Sequence, residues 1–253
     1  MKKPGLLITK ALLMSLILIY ACSGNKEKNS LTLKKLAGRV KKVIETSYMP
    51  GQKKELHQKG IYINQYDEKG YETESTMYDS NGMLQMRFTF IYDEEGNLIQ
   101  NLAYGSDGTL IFNSFLTYDK KGNQTEDRAI GQDGMEMGHA KHQYDEKGNK
   151  LMTNYYHPGG ALGGIYKFKY DERGNNTEEN IFDPNGLLKM RFTYKYDEKG
   201  NLTEHSLYDS VGVLQVLSRY TYTEFDKKGN WIRRIDFSWD KPTGFVSRKI
   251  EYY

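Results

Sequence analysis

The chain has 253 residues, with 36 Lys and Arg against 33 Asp and Glu, a single cysteine and 21 tyrosines. Residues 1–21 carry three lysines and no acid, so the remainder is balanced at 33 charges of each sign. Balanced, interspersed charge leaves no electrostatic footprint for nucleic acid or anionic lipid. One cysteine excludes internal disulfides, and about 230 residues under a single internal period leave room for one large domain.

The chain opens with Lys2, Lys3 and Lys10 ahead of an apolar run over 11–19. That run is too short for a transmembrane helix and fits the core of a signal peptide. It ends in Ile19-Tyr20-Ala21-Cys22-Ser23, which resembles a bacterial lipobox: an aliphatic residue at −3, a small one at −1, then Cys. Residues 1–21 are therefore expected to be a lipoprotein signal peptide and Cys22 the lipidated first residue. Ser23 resembles the default for sorting to the outer membrane, facing the periplasm or the cell surface. Residues 22–38 are expected to be the lipidated Cys and a flexible tether, because 23–30 are polar and unpatterned. A single β-repeat domain is expected over 39–253, stabilised by packing and strand pairing in an oxidising compartment.

Strands are expected at 39–48 and 60–65, and then the repeat begins. Tyr66-Asp67-Glu68-Lys69-Gly70 recurs every 26 residues as Tyr92-Asp93, Tyr118-Asp119, Tyr144-Asp145, Tyr170-Asp171 and Tyr196-Asp197, each with Gly three residues after the Asp. Phe225-Asp226-Lys227-Lys228-Gly229-Asn230 arrives three residues late. A second turn sits midway in each unit, as in Asp79-Ser80-Asn81-Gly82 and Asp183-Pro184-Asn185-Gly186. Asp accepts a backbone N–H two residues ahead, and Gly takes the left-handed conformation that closes the turn. Pro158 and Pro184 fall where φ near −65° is wanted and no N–H is needed.

The segments between turns have strand length. Those leading into Tyr-Asp alternate strictly, as in Leu84, Met86, Phe88, Phe90 and Tyr92 against Gln85, Arg87 and Thr89. The intervening strands are weaker, and their odd-numbered side, with Thr73, Thr125, Thr177 and Thr203 in register, reads as a solvated surface. Two more strands are expected at 230–239 and 245–253. The fold class is all-β: antiparallel hairpin repeats in one meander of about sixteen strands. So long a meander must curl into a barrel-like or spiral sheet with its apolar column inside. A membrane-spanning barrel is disfavoured, because Glu126-Asp127-Arg128 and Glu178-Glu179-Asn180 put polar groups on both faces.

At the Tyr-Asp-x-x-Gly-Asn phrases, residues 60–230 resemble the YD, or RHS, repeat family. That resemblance implies strips of β-hairpins in a surface-protein scaffold that binds carbohydrate or another protein. The unit is longer than the usual YD unit, the array is far shorter than in shell-forming toxins, and the chain ends in the strand-like Lys249-Ile250-Glu251-Tyr252-Tyr253. The toxin-encapsulating role is therefore not carried over.

No nucleophile elbow, phosphate loop, zinc-protease helix or Cys pair is present, so no cofactor or metal is expected. The Asp-Glu-Lys-Gly turns offer too few converging oxygens for calcium. The sequons at Asn123, Asn175 and Asn201 arise from a turn Asn followed by a strand Thr. The third copy departs from its sisters, reading Glu136, Gly138, Ala140, His142 and Tyr144 on the apolar parity, followed by Leu162, Gly164, Tyr166 and Phe168. Such small residues leave a hollow walled by Glu136, His142 and Tyr166, the candidate binding residues. If the copy has merely drifted, Gly138→Val with Ala140→Phe should stabilise it. A catalytic pairing of Glu136 with His142 would span about 20 Å along a straight strand, too far without a bulge at Gly138. The expected function is therefore a non-catalytic binding or scaffold module for a glycan or protein partner, with no nucleic acid. A ligand-binding or hydrolytic site in the third repeat is the alternative.

Overall fold

The computed structural model describes residues 30–50 and 56–253. Cys22 and the expected signal peptide lie outside them. One helical turn, α1 (Ser30–Leu33), precedes β1 (Val40–Pro50), β2 (Leu56–Tyr66), β3 (Glu72–Asp79), β4 (Leu84–Tyr92), β5 (Leu98–Gly105) and β6 (Leu110–Tyr118). There follow β7 (Gln124–Gly131), β8 (Glu136–Tyr144), β9 (Lys150–Tyr156), β10 (Leu162–Tyr170) and β11 (Asn176–Phe182). The series ends with β12 (Leu188–Tyr196), β13 (Leu202–Asp209), β14 (Leu214–Phe225), β15 (Trp231–Ser238) and β16 (Lys241–Tyr252). Each strand runs antiparallel to its neighbours, and β1 pairs with β16 from Val40↔Tyr252 to Tyr48↔Phe245. Of the two expected forms, barrel and spiral, the sheet takes the closed barrel.

The repeat phrase builds one rim of this barrel. Asp67 Oδ1 accepts the N–H groups of Lys69 and Tyr71, both at 2.9 Å, and Gly70 sits at φ 86°. That conformation is cheap only for glycine. In five copies the Asn after the glycine donates its side-chain amide to the same Asp at 2.8–3.0 Å. The sequon residues Asn123, Asn175 and Asn201 are among these turn braces. The tyrosine at this position of the 26-residue period also has structural work: Tyr118 Oη donates to the Leu98 carbonyl, and Tyr222 Oη, three residues ahead of the late seventh phrase, to that of Leu202, both at 2.8 Å.

Every hairpin carries a register shift beside its turn, as at Gln65/Tyr66 and Met77/Tyr78. Bulges bend a strand and add twist, and repeated around the meander they bring its two edges together. They also flip the side-chain parity. Thr73, Thr125, Thr177 and Thr203 are the extra residues at these bulges, and the hydroxyls of Thr177 and Thr203 return to the carbonyls of Lys169 and Lys195. Beyond the bulge the odd positions turn inward: in β13, His205 and Leu207 oppose Tyr194 and Phe192. The expectation of a solvated odd-numbered side therefore holds for the bulge threonines and fails for the residues after them.

A one-layer closed sheet has only its concave face to bury. Phe88, Phe90, Ala103 and Phe112 form a cluster there with Met77 and Met86 packed against it. The convex face carries ion pairs such as Lys169–Glu178 and Lys195–Glu204. It also carries Arg–aromatic stacks, with the Arg87 and Arg191 guanidiniums each 4.5 Å from the ring centres of Tyr104 and Tyr208.

The segment from Ser30 to Gly38 crosses the turn-bearing mouth instead of hanging from it. Ser30 Oγ accepts the Glu72 N–H at 2.8 Å, Leu31 joins Val40, Val43 and Tyr66 in a buried cluster, and Lys34 pairs with fully buried Glu72 at 2.8 Å. On the opposite side of the mouth Lys35 donates to Asn175 Oδ1 at 2.5 Å and to the Gly200 carbonyl at 3.0 Å. Ala37 exchanges two hydrogen bonds with the Asn230 side chain. The described part of the expected tether is thus a strap joining the β2–β3 turn to the β10–β11, β12–β13 and β14–β15 turns.

Candidate binding wall inside the barrel

One position of the repeat, taken every 26 residues in the weaker strands, reads Ser75, Asn101, Asp127, Thr153, Glu179 and His205. The register turns all six inward, each between two residues of the flanking stronger strands. A polar ring therefore runs around the interior, with a different side chain in every copy. Turn positions repeat because the backbone geometry demands it; nothing in the backbone dictates these six.

The first four ring residues are buried. Asn101 Oδ1, Ser114 Oγ, Asp127 Oδ1 and His142 Nε2 lie in this sector, shielded from water and without hydrogen-bond partners among the described residues. His142 Nδ1 is 2.9 Å from Thr153 Oγ1, and its Nε2 is 3.6 Å from Asp127 Oδ1, beyond hydrogen-bond reach. Burial holds this imidazole below its ordinary pKa, outweighing the neighbouring carboxylate, so it is neutral at neutral pH.

Glu136 is elsewhere. The β7–β8 ladder skips Met137, pairing Ala129 with Gly138 and Ile130 with Glu136. Glu136 consequently meets His139 Nδ1 at 2.7 Å and Arg128 Nε at 3.6 Å, on the convex face. His142 and Asp127 are on the concave one. The shared hollow expected for Glu136 and His142 does not form, because the bulge reverses the parity of Glu136. Gly138 is not a drifted residue either: its φ is 144°, and a Cβ there would lie 2.6 Å from Tyr155 Oη and 2.8 Å from the Tyr156 carbonyl. Tyr155 and the β9 backbone occupy the space that small residues suggested was empty.

Tyr166 does face inward. It opposes Thr153 and Ile181 and begins an aromatic sector in which no inward side chain of β11–β14 is fully buried. Phe168 and Phe192 stand directly opposite Glu179 on its two sides. Tyr194 Oη donates to Glu179 Oε2 at 3.2 Å. The His205 ring stacks on Phe192 and Tyr194, with centroids 5.6 and 5.3 Å apart. Burial raises the Glu179 and Tyr166 pKa values and lowers that of His205. Further round, Arg234 grips Asp236, and Arg248 bonds Glu45 at 2.8 Å while stacking on Trp231. Among the described residues no group of three or more His, Cys, Asp or Glu is placed to hold a metal ion.

The ring was missed in the sequence because its residues share parity with threonines read as solvated. The 26-residue comparison of the weaker strands could have found it.

No family model matches the chain, and no curated protein does. Among solved structures it is similar to a porin-like protein from Bacteroides uniformis, at 13% identity and TM-score 0.56, covering 85% of this chain and 99% of that one. This likeness is one of fold. A Photorhabdus luminescens Tc holotoxin pore also matches, at 13% identity over 69% of this chain but 12% of the other, with TM-score 0.32. At that score the toxin match adds nothing to the account of the fold.

Proposed function

We propose that this protein is a non-catalytic binding module of the cell envelope, held at the outer membrane by lipid on Cys22, that receives a glycan or protein partner. The observation that carries the reading is the interior ring: six inward polar residues, all different, set in a frame whose turns repeat almost letter for letter. Half-buried tyrosines and phenylalanines beside Glu179 supply contact area at low entropy cost. The porin-like fold supports an envelope setting. The lipid anchor accounts for membrane attachment better than spanning does, since Arg87 and Arg191, each midway along its strand, put charge on the convex face, where lipid would lie. The non-catalytic part of the reading is supported by the separation of Glu136 and His142 onto opposite faces.

The experiment is a glycan array probed with the purified chain, paired with a pull-down from envelope extract. The reading predicts a saturable partner in one of them that is lost in Tyr166→Ala. Silence in both overturns it. The anchor is tested separately: Cys22→Ala should move the protein from the membrane to the soluble fraction, and retention after a carbonate wash would refute lipidation.

A further inference from the structure

Other buried or half-buried carboxylates of the barrel are paired with cations: Glu45 with Arg248, Asp236 with Arg234 and Glu72 with Lys34, while buried Asp127 faces the nitrogen of His142 at 3.6 Å. Glu179 is different. Its single hydrogen bond among the described residues comes from neutral Tyr194, and it makes no ion pair there. His205, stacked on Phe192 and Tyr194, is kept neutral at neutral pH by its own burial. A half-buried carboxylate with no counter-ion is a standing cost to the fold, and it sits where the barrel wall is aromatic on both sides.

The aromatic rings are unusual in the same way. On the convex face Arg87, Lys167 and Arg191 stand over Tyr104, Phe182 and Tyr208. Among the described residues no cation stands over Phe168 or Phe192, the two rings that flank Glu179. A negative charge framed by ring faces is the complement of a diffuse organic cation, whose weak hydration lets it leave water and whose charge is attracted to both the carboxylate and the ring quadrupoles.

We infer that Glu179, framed by Phe168, Phe192, Tyr194 and His205, is a binding site for an organic ammonium group. The inference rests on reading the interior as a binding surface, and it is independent of whether the partner in the envelope is a glycan or a protein. Neutral sugars would gain stacking but would leave the carboxylate unbalanced, so the cation is the better complement.

The test uses the full-length chain in detergent micelles, titrated by calorimetry with choline and with its neutral isostere 3,3-dimethylbutan-1-ol. Choline should bind saturably at one site, and the alcohol at least about tenfold more weakly. Glu179→Gln should weaken choline by a similar factor, and Phe192→Leu by about threefold or more, with circular dichroism melts confirming that both variants fold. Phe168→Leu provides a second aromatic probe if Phe192→Leu melts early. Absence of saturable choline binding, equal affinity for the alcohol, or full affinity in Glu179→Gln would each overturn the inference. A silent glycan array and pull-down alongside choline binding would sink the partner reading and leave the cation site standing; the reverse pattern would do the opposite.

Discussion

Phe88 and Phe192 occupy the same position of the 26-residue unit, four copies apart, yet they live in different surroundings. Phe88 is buried in a cluster with Phe90, Ala103 and Phe112. Phe192 opposes Glu179 and stacks on His205 along a wall where inward side chains such as Met190 and Val216 keep 38% and 37% of their surface. One template thus yields a packed wall and an open one. The difference comes from the neighbours: Ala103 and Ser75 flank Phe88, whereas a carboxylate and Leu207 flank Phe192. Repetition fixes the turn and the strand; the residues free of turn duty decide whether a given stretch serves as core or as binding surface.

The strap should matter most, since it ties the two walls across the mouth. Lys34→Met removes the ion pair to fully buried Glu72 and should cost about 3 kcal/mol, read as a lower urea midpoint at unchanged slope. An unchanged midpoint would show that 30–38 is a passive tether. Next comes Gly138→Val on the packed wall, which forces a β-branched residue into φ 144° against Tyr155 and the β9 backbone. It should destabilise by about 2 kcal/mol, whereas a gain in stability would restore the view of a drifted copy.

The histidines offer a pH test with one sign. Both His142 and His205 have folded-state pKa values below the ordinary imidazole value, so protonation favours the unfolded chain. Stability from the neutral rings is full above about pH 6.5 and falls as pH drops through that value, by at most ~1.4 kcal/mol per pH unit per group. His142→Gln should flatten the slope between pH 7 and 5; an unaltered slope contradicts the assignment. The smallest effect belongs to Glu179→Gln, and it has the opposite direction. Because burial raises this carboxyl pKa, ionisation costs stability above the unfolded value near 4.3. The variant should melt higher at pH 7, with the gain disappearing by about pH 4. A lower melting temperature at pH 7 would mean that Glu179 is a structural residue.

Much of this architecture was written in local chemistry. Asp67 and Gly70 announce their turn, Phe88 and Tyr92 their face, and the count of turns nearly the number of strands. Parity beyond a bulge was not legible, because Thr73 or Met137 adds one unpaired residue without any signal in its own identity. Through that gap Glu136 was placed inside and the polar ring outside. The strap escaped for another reason: the contacts of Lys35 with Asn175 and Gly200 join residues 140 and 165 positions apart, and no periodicity within 30–38 foreshadows them. Tyr166 lies on the inward column expected of it, since the β10 bulge falls before Gly164 and the register is unbroken from Ile165 to Lys167.

The contrast between the two walls is addressed most directly by a matched pair of truncations. Equilibrium urea unfolding of Phe88→Ala and Phe192→Ala compares one repeat position in both settings. The packed wall predicts a loss of about 3–4 kcal/mol for Phe88→Ala, and the open wall a loss near 1 kcal/mol for Phe192→Ala, with its deficit appearing instead in choline affinity. Equal losses from the two truncations would mean that the barrel has one continuous core and no binding wall.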